Sequence, residues 1–295
     1  MAAIIIDGKA VAAKMREDFH GRVNRLKERG INPCLAVVLV GENPASVSYV
    51  RGKKKALAEA GMESRDIRLP ETISEEELLT VIRPLNTDDN VHGILVQFPL
   101  PAHIRTERII EAINPVKDVD CFHLLSLGRL LQGQSGFLPC TPQGIILLLQ
   151  AYNIVLSGSR AVVVGRSNIV GRPLSMLLSR KEINATVTIC HTGTKDLAHH
   201  TRDAEILIVA AGCPGLIRGD MIKAGAVVID VGTNRVPDSS KKKGYRICGD
   251  VVFEEALDVA GWITPVPGGV GPMTIAMLMQ NLLLASDGSA VLPPL

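Results

Sequence analysis

The sequence predicts an α/β protein of two lobes, the second built on a parallel sheet. Three observations carry that prediction. Apolar β-branched runs recur at Ala161–Val164, Thr186–Cys190, Ile206–Ala210 and Ala226–Val231, with helix-length polar segments between them. The first run stops at Gly165, and Gly171 and Pro173 then open an apolar run with helical spacing, Leu174, Met176, Leu177 and Leu178. Finally, 295 residues of which 46% are hydrophobic suffice to fill two cores.

The segment from Ala161 to Pro173 thus reads as strand, tight turn, helix. Such a turn places backbone N–H groups and the positive end of a helix dipole at one point, which is what holding a phosphate requires. Five residues separate Gly165 from Gly171 in the turn and no G-x-G-x-x-G occurs there, so the turn alone also admits a purely structural reading. The repeated strands favour a Rossmann-like dinucleotide lobe. An NAD site carries Asp or Glu at the end of the second strand to bind the ribose 2′-OH. Here that place holds His191 and Thr192, and Arg166 stands in the turn. A missing anion and an added cation point to a 2′-phosphate, hence NADP. His191 is given no catalytic role.

In the amino-terminal half, Val11, Met15, Phe19, Val23 and Leu26 follow helical spacing up to Gly30, and the strand Cys34–Gly41 comes next. A helix from about Ala45 to Ala60 puts Tyr49 and Lys53 on one face, four residues apart. Lys53, Lys54 and Lys55 form a run that reads either as a solvated face or as a crowd of like charges, each disfavouring its neighbours' protonated form. Ser74 and Glu77 are spaced as a capping box for a helix to about Leu85. The buried strand in Val91–Pro101 ends at Gln97, a residue type that commonly clamps backbone. Asp118 and Asp120 fall in the loop Lys117–His123, where turn chemistry is the ordinary role. Pro139–Asn153 reads as a proline-marked helix bridging the halves, and Pro272–Ala285 as a final helix.

A net charge of +2 selects no polyanionic partner, and with 3% aromatic residues stacking platforms for nucleic acid are scarce. The longest apolar stretches are broken by Gly and Pro, or by Gln280 and Asn281, so no membrane span is expected. The apolar start has no basic residues before it, which argues against a signal peptide and for a cytoplasmic protein. Six scattered cysteines without C-x-x-C read as buried free thiols, and no metal site is expected.

Taken jointly, SYVRGKKKA, VHGILVQFPLP, NPVKDVD, PCTPQG, GRSNIVGRP, VTICH, DVGTNR, GDVVF and PVPGGVGPMT resemble one family, the bifunctional methylenetetrahydrofolate dehydrogenase/methenyltetrahydrofolate cyclohydrolases. The motifs fall in family order from about Gly41 to Thr274, and the length is similar to that of the bacterial form without a ligase domain. The resemblance implies a folate-binding catalytic domain of residues 1–143 plus 273–295, an NADP-binding domain of 144–272, and a cleft between them. It implies Lys53 as the essential lysine, Tyr49 as the ring that stacks on folate, Gln97 as the group that positions the lysine and Asp120 as the carboxylate for the pterin. It marks Gly165, Arg166, Ser167, Thr192 and Thr233 for the cofactor, and Pro267, Gly268 and Gly269 for the substrate. It also implies tetrahydrofolate derivatives as substrates and a homodimer.

Four positions depart from the family pattern. Cys121 stands where glycine follows KDVD, Thr192 replaces serine, Thr233 replaces an aliphatic residue, and Val252 replaces the acid of GDVDF. Two other functions remain open on the residues: a monofunctional NADP-dependent dehydrogenase of a small acid, and a non-catalytic NADP-sensing module.

Overall fold

In the computed structural model, residues 2–134, 136–241 and 244–288 are described. The strands are β1 (Ile4–Ile5), β2 (Cys34–Val40), β3 (Glu63–Leu69), β4 (Gly93–Val96), β5 (Arg160–Val164), β6 (Thr186–Cys190), β7 (Ile206–Val209), β8 (Val227–Asp230), β9 (Asn234–Pro237), β10 (Tyr245–Cys248) and β11 (Trp262–Ile263). The helices are α1 (Gly8–Glu28), α2 (Pro44–Glu59), α3 (Glu75–Thr87), α4 (Thr106–Ala112), α5 (Leu124–Gln132), α6 (Cys140–Ala151), α7 (Gly171–Leu178), α8 (Leu197–Asp203), α9 (Phe253–Leu257) and α10 (Val270–Ser286). The chain divides into two units, one formed by residues up to Ala13 with Thr141–Thr274, the other by Lys14–Cys140 with the chain from Ile275 onward.

The unit that begins at Lys14 is built on a parallel sheet in the order β3-β2-β4. Every residue of β2 is buried, as a strand covered on both faces requires, whereas β3 is an edge strand whose charges pair outward. Asn43 starts α2 by accepting hydrogen bonds from the Ala45 and Ser46 N–H groups, with Pro44 at the first helical position. The capping box at α3 is complete, with Ser74 accepting from the Glu77 N–H and the Glu77 carboxylate accepting from the Ser74 N–H. The apolar faces of α3 and α4 then bury Leu78, Ile82 and Ile109 against Val38, Ile94 and Val96.

The loop that follows α4 is held from several sides. Lys117 Nζ donates to the carbonyls of Leu85 (3.0 Å) and Asp88 (2.8 Å). Asp118, 3% exposed, accepts from the N–H groups of Phe122 (3.1 Å) and His123 (2.8 Å) and from Ser126 Oγ (3.0 Å). Asn281 of α10 donates from Nδ2 to the carbonyls of Val119 (2.8 Å) and Leu138 (2.9 Å). Between these clamps Cys121 adopts a φ of 63°, the left-handed region that glycine occupies without cost. Its buried thiol donates to the Phe137 carbonyl, so the departure from glycine keeps the glycine backbone.

The other unit carries a six-stranded sheet in the order β1-β11-β8-β7-β5-β6, parallel at every pairing. Val162, Val164, Leu207, Val209, Val228 and Ile263 contribute to its core. The antiparallel hairpin of β9 and β10 stands apart from this sheet. Residues up to Ala13 group with this unit. The reason is pairing: Ile4 and Ile5 add a parallel edge strand to Trp262 and Ile263, and Ile6 is fully buried behind them. Gly8 then packs so closely on the Gly269 carbonyl that no Cβ fits, while the Lys9 N–H donates to the Gly268 carbonyl. At α9, Val252 offers no acceptor, and the helix begins without a side-chain cap.

Burial lifts the Asp118 carboxyl from 3.8 to about 6, against the pull of its three hydrogen-bond donors. The folded chain therefore holds this proton more tightly than the unfolded one. That contribution is complete below pH 3.8 and is lost as pH rises through 6. Asp118→Asn is expected to be less stable than wild type, with a deficit that shrinks by on the order of 2 kcal/mol between pH 4.5 and 7. Urea unfolding of both proteins across that range measures it, and a deficit independent of pH would contradict the assignment.

Candidate active site

In the Lys14–Cys140 unit, α2 carries Tyr49 and Lys53 one turn apart, and their fates differ. Tyr49 is 38% exposed, presenting its ring to solvent, whereas Lys53 is 7% exposed. The Lys53 amine donates to Gln97 Oε1 at 3.3 Å. Gln97 follows β4 and is fixed in turn, because its Nε2 donates to the Phe98 carbonyl at 2.7 Å and its backbone N–H to the Val38 carbonyl at 2.9 Å. The glutamine is thus both the backbone clamp its residue type suggests and the partner of the lysine.

The crowding expected of the lysine run is absent. Lys54 pairs with Asp66 at 2.7 Å and Lys55 with Glu59 at 3.7 Å, so both charges are turned to carboxylates. Among the described residues, no carboxylate lies within ion-pair distance of Lys53. Burial beside a neutral amide, and not repulsion between neighbours, is what sets this amine apart from the other two.

Asp120 is half-buried on the clamped loop. Together with Lys53 it acts on Cys140, whose fully buried thiol is pushed well above its ordinary range, first by burial, then by the Asp120 carboxylate, with the Lys53 charge opposing. Asp120 and Lys53 thus each lie within electrostatic reach of Cys140. Cys140 donates to the Val119 carbonyl and also meets Asn281 Nδ2. The sequence reading missed Asn281 as a site support, although a polar residue inside the apolar helix α10 was the signal for it.

In the other unit, Gly165 follows β5 with a φ of 123°, and a Cβ there would fall on the Ala210 carbonyl. Gly171 at the start of α7 abuts the Gly165 carbonyl in the same way. Both glycines allow backbone to meet backbone. Some of the donors expected for a phosphate are already used: Ser167 Oγ accepts from the N–H groups of Val170 (3.2 Å) and Gly171 (3.4 Å), and the Arg172 N–H donates to the Ser167 carbonyl. Among the described residues, the backbone N–H groups of Arg166, Ser167 and Asn168 engage no partner, and the Arg166 guanidinium, which is exposed, has no ion pair.

Thr192 is exposed after β6, and Thr233 is exposed after β8. His191 closes the turn after β6 by accepting from the Gly193 N–H at Nδ1, while its own N–H donates to Thr194 Oγ1. No carboxylate follows the end of β6 at Cys190, His191 or Thr192. The residues present therefore fit a dinucleotide bearing a 2′-phosphate. Pro267 is exposed, and Gly268 and Gly269 are buried in the turn that receives Gly8 and Lys9. Among the described residues, no helix is long and apolar enough to cross a membrane.

The family model described as tetrahydrofolate dehydrogenase/cyclohydrolase, catalytic domain, matches residues 6–120, and that of the NAD(P)-binding domain of the same family matches residues 139–289. The bifunctional protein FolD of Polynucleobacter asymbioticus is 53% identical over 287 residues, 97% of this chain and 98% of its own length. The crystal structure of the bifunctional enzyme FolD, methylenetetrahydrofolate dehydrogenase/cyclohydrolase, from Campylobacter jejuni is similar with a TM-score of 0.92 at 51% identity, covering 98% of this chain and 100% of that one. The Trypanosoma brucei methylenetetrahydrofolate dehydrogenase-cyclohydrolase, complexed with NADP cofactor and inhibitor, is similar with a TM-score of 0.94 at 40% identity, covering 98% and 99%. With a buried amine on one unit, a glycine turn with unengaged backbone N–H groups on the other and family matches over both, the chain belongs to the tetrahydrofolate dehydrogenase/cyclohydrolase family.

Proposed function

We propose that the protein oxidises 5,10-methylenetetrahydrofolate to 5,10-methenyltetrahydrofolate with NADP⁺ and then hydrolyses the product to 10-formyltetrahydrofolate. The observation that carries the reading is the buried Lys53 amine held by Gln97. A dehydrogenase of a small acid has no need of that amine alongside Tyr49 and Asp120, and a cofactor sensor has no need of any of the three.

Bound NADP⁺ supplies the acceptor for the hydride that leaves the one-carbon bridge. The chain's part in that step is orientation. Asp120 accepts from the adjacent amino group and ring N–H of the pterin, and the exposed Tyr49 ring stacks on a flat face of the folate. Pro267, Gly268 and Gly269 line the substrate's position. Gly165, Arg166, Ser167, Thr192 and Thr233 bind the cofactor, with Arg166 and Thr192 toward the 2′-phosphate. Oxidation leaves a methenyl cation, to which water adds, and protons must then move as the ring opens. Lys53, desolvated and steadied by Gln97, exchanges the proton in this second step. The domains responsible are residues 1–143 plus 273–295 for folate and 144–272 for NADP, with the amino-terminal thirteen residues lending their strand to the dinucleotide sheet. The enzyme acts as a cytoplasmic homodimer, on the strength of the family resemblance.

Lys53→Met is expected to cut methenyltetrahydrofolate hydrolysis by about 100-fold or more, within the range of lost acid–base catalysis, while NADP⁺ affinity stays at the wild-type value. Loss of the methenyl absorbance, followed with and without enzyme, checks this. Unchanged hydrolysis would favour the sensor, and a wild-type protein that yields neither NADPH nor methenyl absorbance from methylenetetrahydrofolate would remove the folate reading. Arg166→Ala is expected to raise KM for NADP⁺ about tenfold, the loss of one charge-assisted phosphate contact, and to leave KM for NAD⁺ nearly unchanged. Equal changes for both cofactors would show that Arg166 does not read the 2′-phosphate.

A further inference from the structure

We propose that Asp250 is a positioning residue of the dinucleotide site, fixing the backbone after β7 that walls the crevice where the cofactor binds. The inference rests on the NADP reading above. In the sheet, β5 lies between β6 and β7, so the chain leaves β5 toward one side and later returns on the other. The crevice at the carboxyl ends of β5 and β7 is the switch point where ligands of open α/β sheets bind. Gly165 forms one wall and Ala210–Gly212 the other. The two are flush, since the Ala210 N–H donates to the Val164 carbonyl at 2.7 Å and no Cβ fits between Gly165 and the Ala210 carbonyl. Where Ala211 and Gly212 sit therefore sets the shape of the crevice.

Asp250 sets that position. Its Oδ2 accepts from the N–H groups of Ala211 (2.7 Å) and Gly212 (2.8 Å), and its Oδ1 accepts from Asn234 Nδ2 (2.8 Å). Asn234 adjoins Thr233, so one carboxylate holds two of the segments that face the cofactor. Asp250 is fully buried and is itself held by a second carboxylate. Asp230 at the end of β8 accepts from the N–H groups of Asp250 (2.9 Å), Val251 (3.0 Å) and Gly232 (2.9 Å). Gly232 and Gly249 leave no room for a Cβ against the Asp250 and Asp230 carboxylates. The sheet thus reaches the crevice wall through two buried carboxyl groups in series, each of which accepts from the segments it places. A group of this kind that served overall stability alone would affect both activities alike, whereas a positioning group acts on the cofactor first.

The test uses the full chain and three readouts: NADP⁺ affinity, dehydrogenase kcat and KM, and hydrolysis of methenyltetrahydrofolate without NADP⁺. Asp250→Ala strands three donors and is expected to weaken NADP⁺ binding at least tenfold with hydrolysis within about twofold of wild type. Asp250→Asn is expected to rescue. Its amide oxygen takes the two N–H groups, and its NH₂ meets the Asn234 oxygen once that amide turns over. Asn234→Ala, which touches only the half-buried arm, is expected to weaken NADP⁺ binding about threefold and keeps the question open to refutation should Asp250→Ala fail to fold. NADP⁺ binding at the wild-type level in Asp250→Ala or Asn234→Ala would overturn the proposal, as would equal loss of both activities in Asp250→Ala and Asp250→Asn. Wild-type protein that binds no NADP⁺ would instead overturn the cofactor reading on which the proposal stands.

Discussion

A primary amine taken out of water needs a partner, and the partner Lys53 has is neutral. Lys53 is 7% exposed and donates to Gln97 Oε1 at 3.3 Å, and among the described residues no carboxylate lies within ion-pair distance of it, whereas Lys54 pairs with Asp66. The surrounding structure holds this pair in place. Gln97 is pinned by the Phe98 and Val38 carbonyls, and β2, buried along its whole length, holds the strand end from which Gln97 projects.

The carboxylate half of the site is held by different means. Asp120 lies on a loop that no regular element supports, and its neighbours supply the rigidity instead. Asp118 ties the loop to the start of α5, Asn281 ties it to α10, and Lys117 ties it to the end of α3. Cys121 takes the backbone that glycine would take at the same place. The two neighbouring aspartates thus differ, Asp118 buried and tied into the loop, Asp120 half-buried on it.

Much of this was legible from residue order. The parallel strands, the helix bearing Tyr49 and Lys53, the capping box at Ser74 and the turn at Gly165 follow from local periodicity and turn chemistry, and the structure has them within a few residues of their expected limits. What escaped was non-local. A two-residue strand such as β1 has no period to detect, and its place at the edge of the dinucleotide sheet depends on Trp262 and Ile263, far along the chain. Local spacing does not reveal that Lys54 on α2 finds Asp66 on β3, whereas the Lys55–Glu59 pair lies one helical turn apart and the Ser167 hydroxyl bonds within its own turn. Asp250 gave no signal of its own, because its meaning lies in Ala211, Gly212 and Asn234.

The proposed dependence of hydrolysis on one amine and its amide partner is tested most directly by a double-mutant cycle on the hydrolytic rate, with Lys53→Met, Gln97→Ala and the two combined. If Gln97 works by placing the amine, Gln97→Ala slows the wild-type enzyme but costs nothing further once Lys53 is gone. Losses that simply multiply in the combined variant would contradict the account, since they would mean that the two side chains act on the reaction separately.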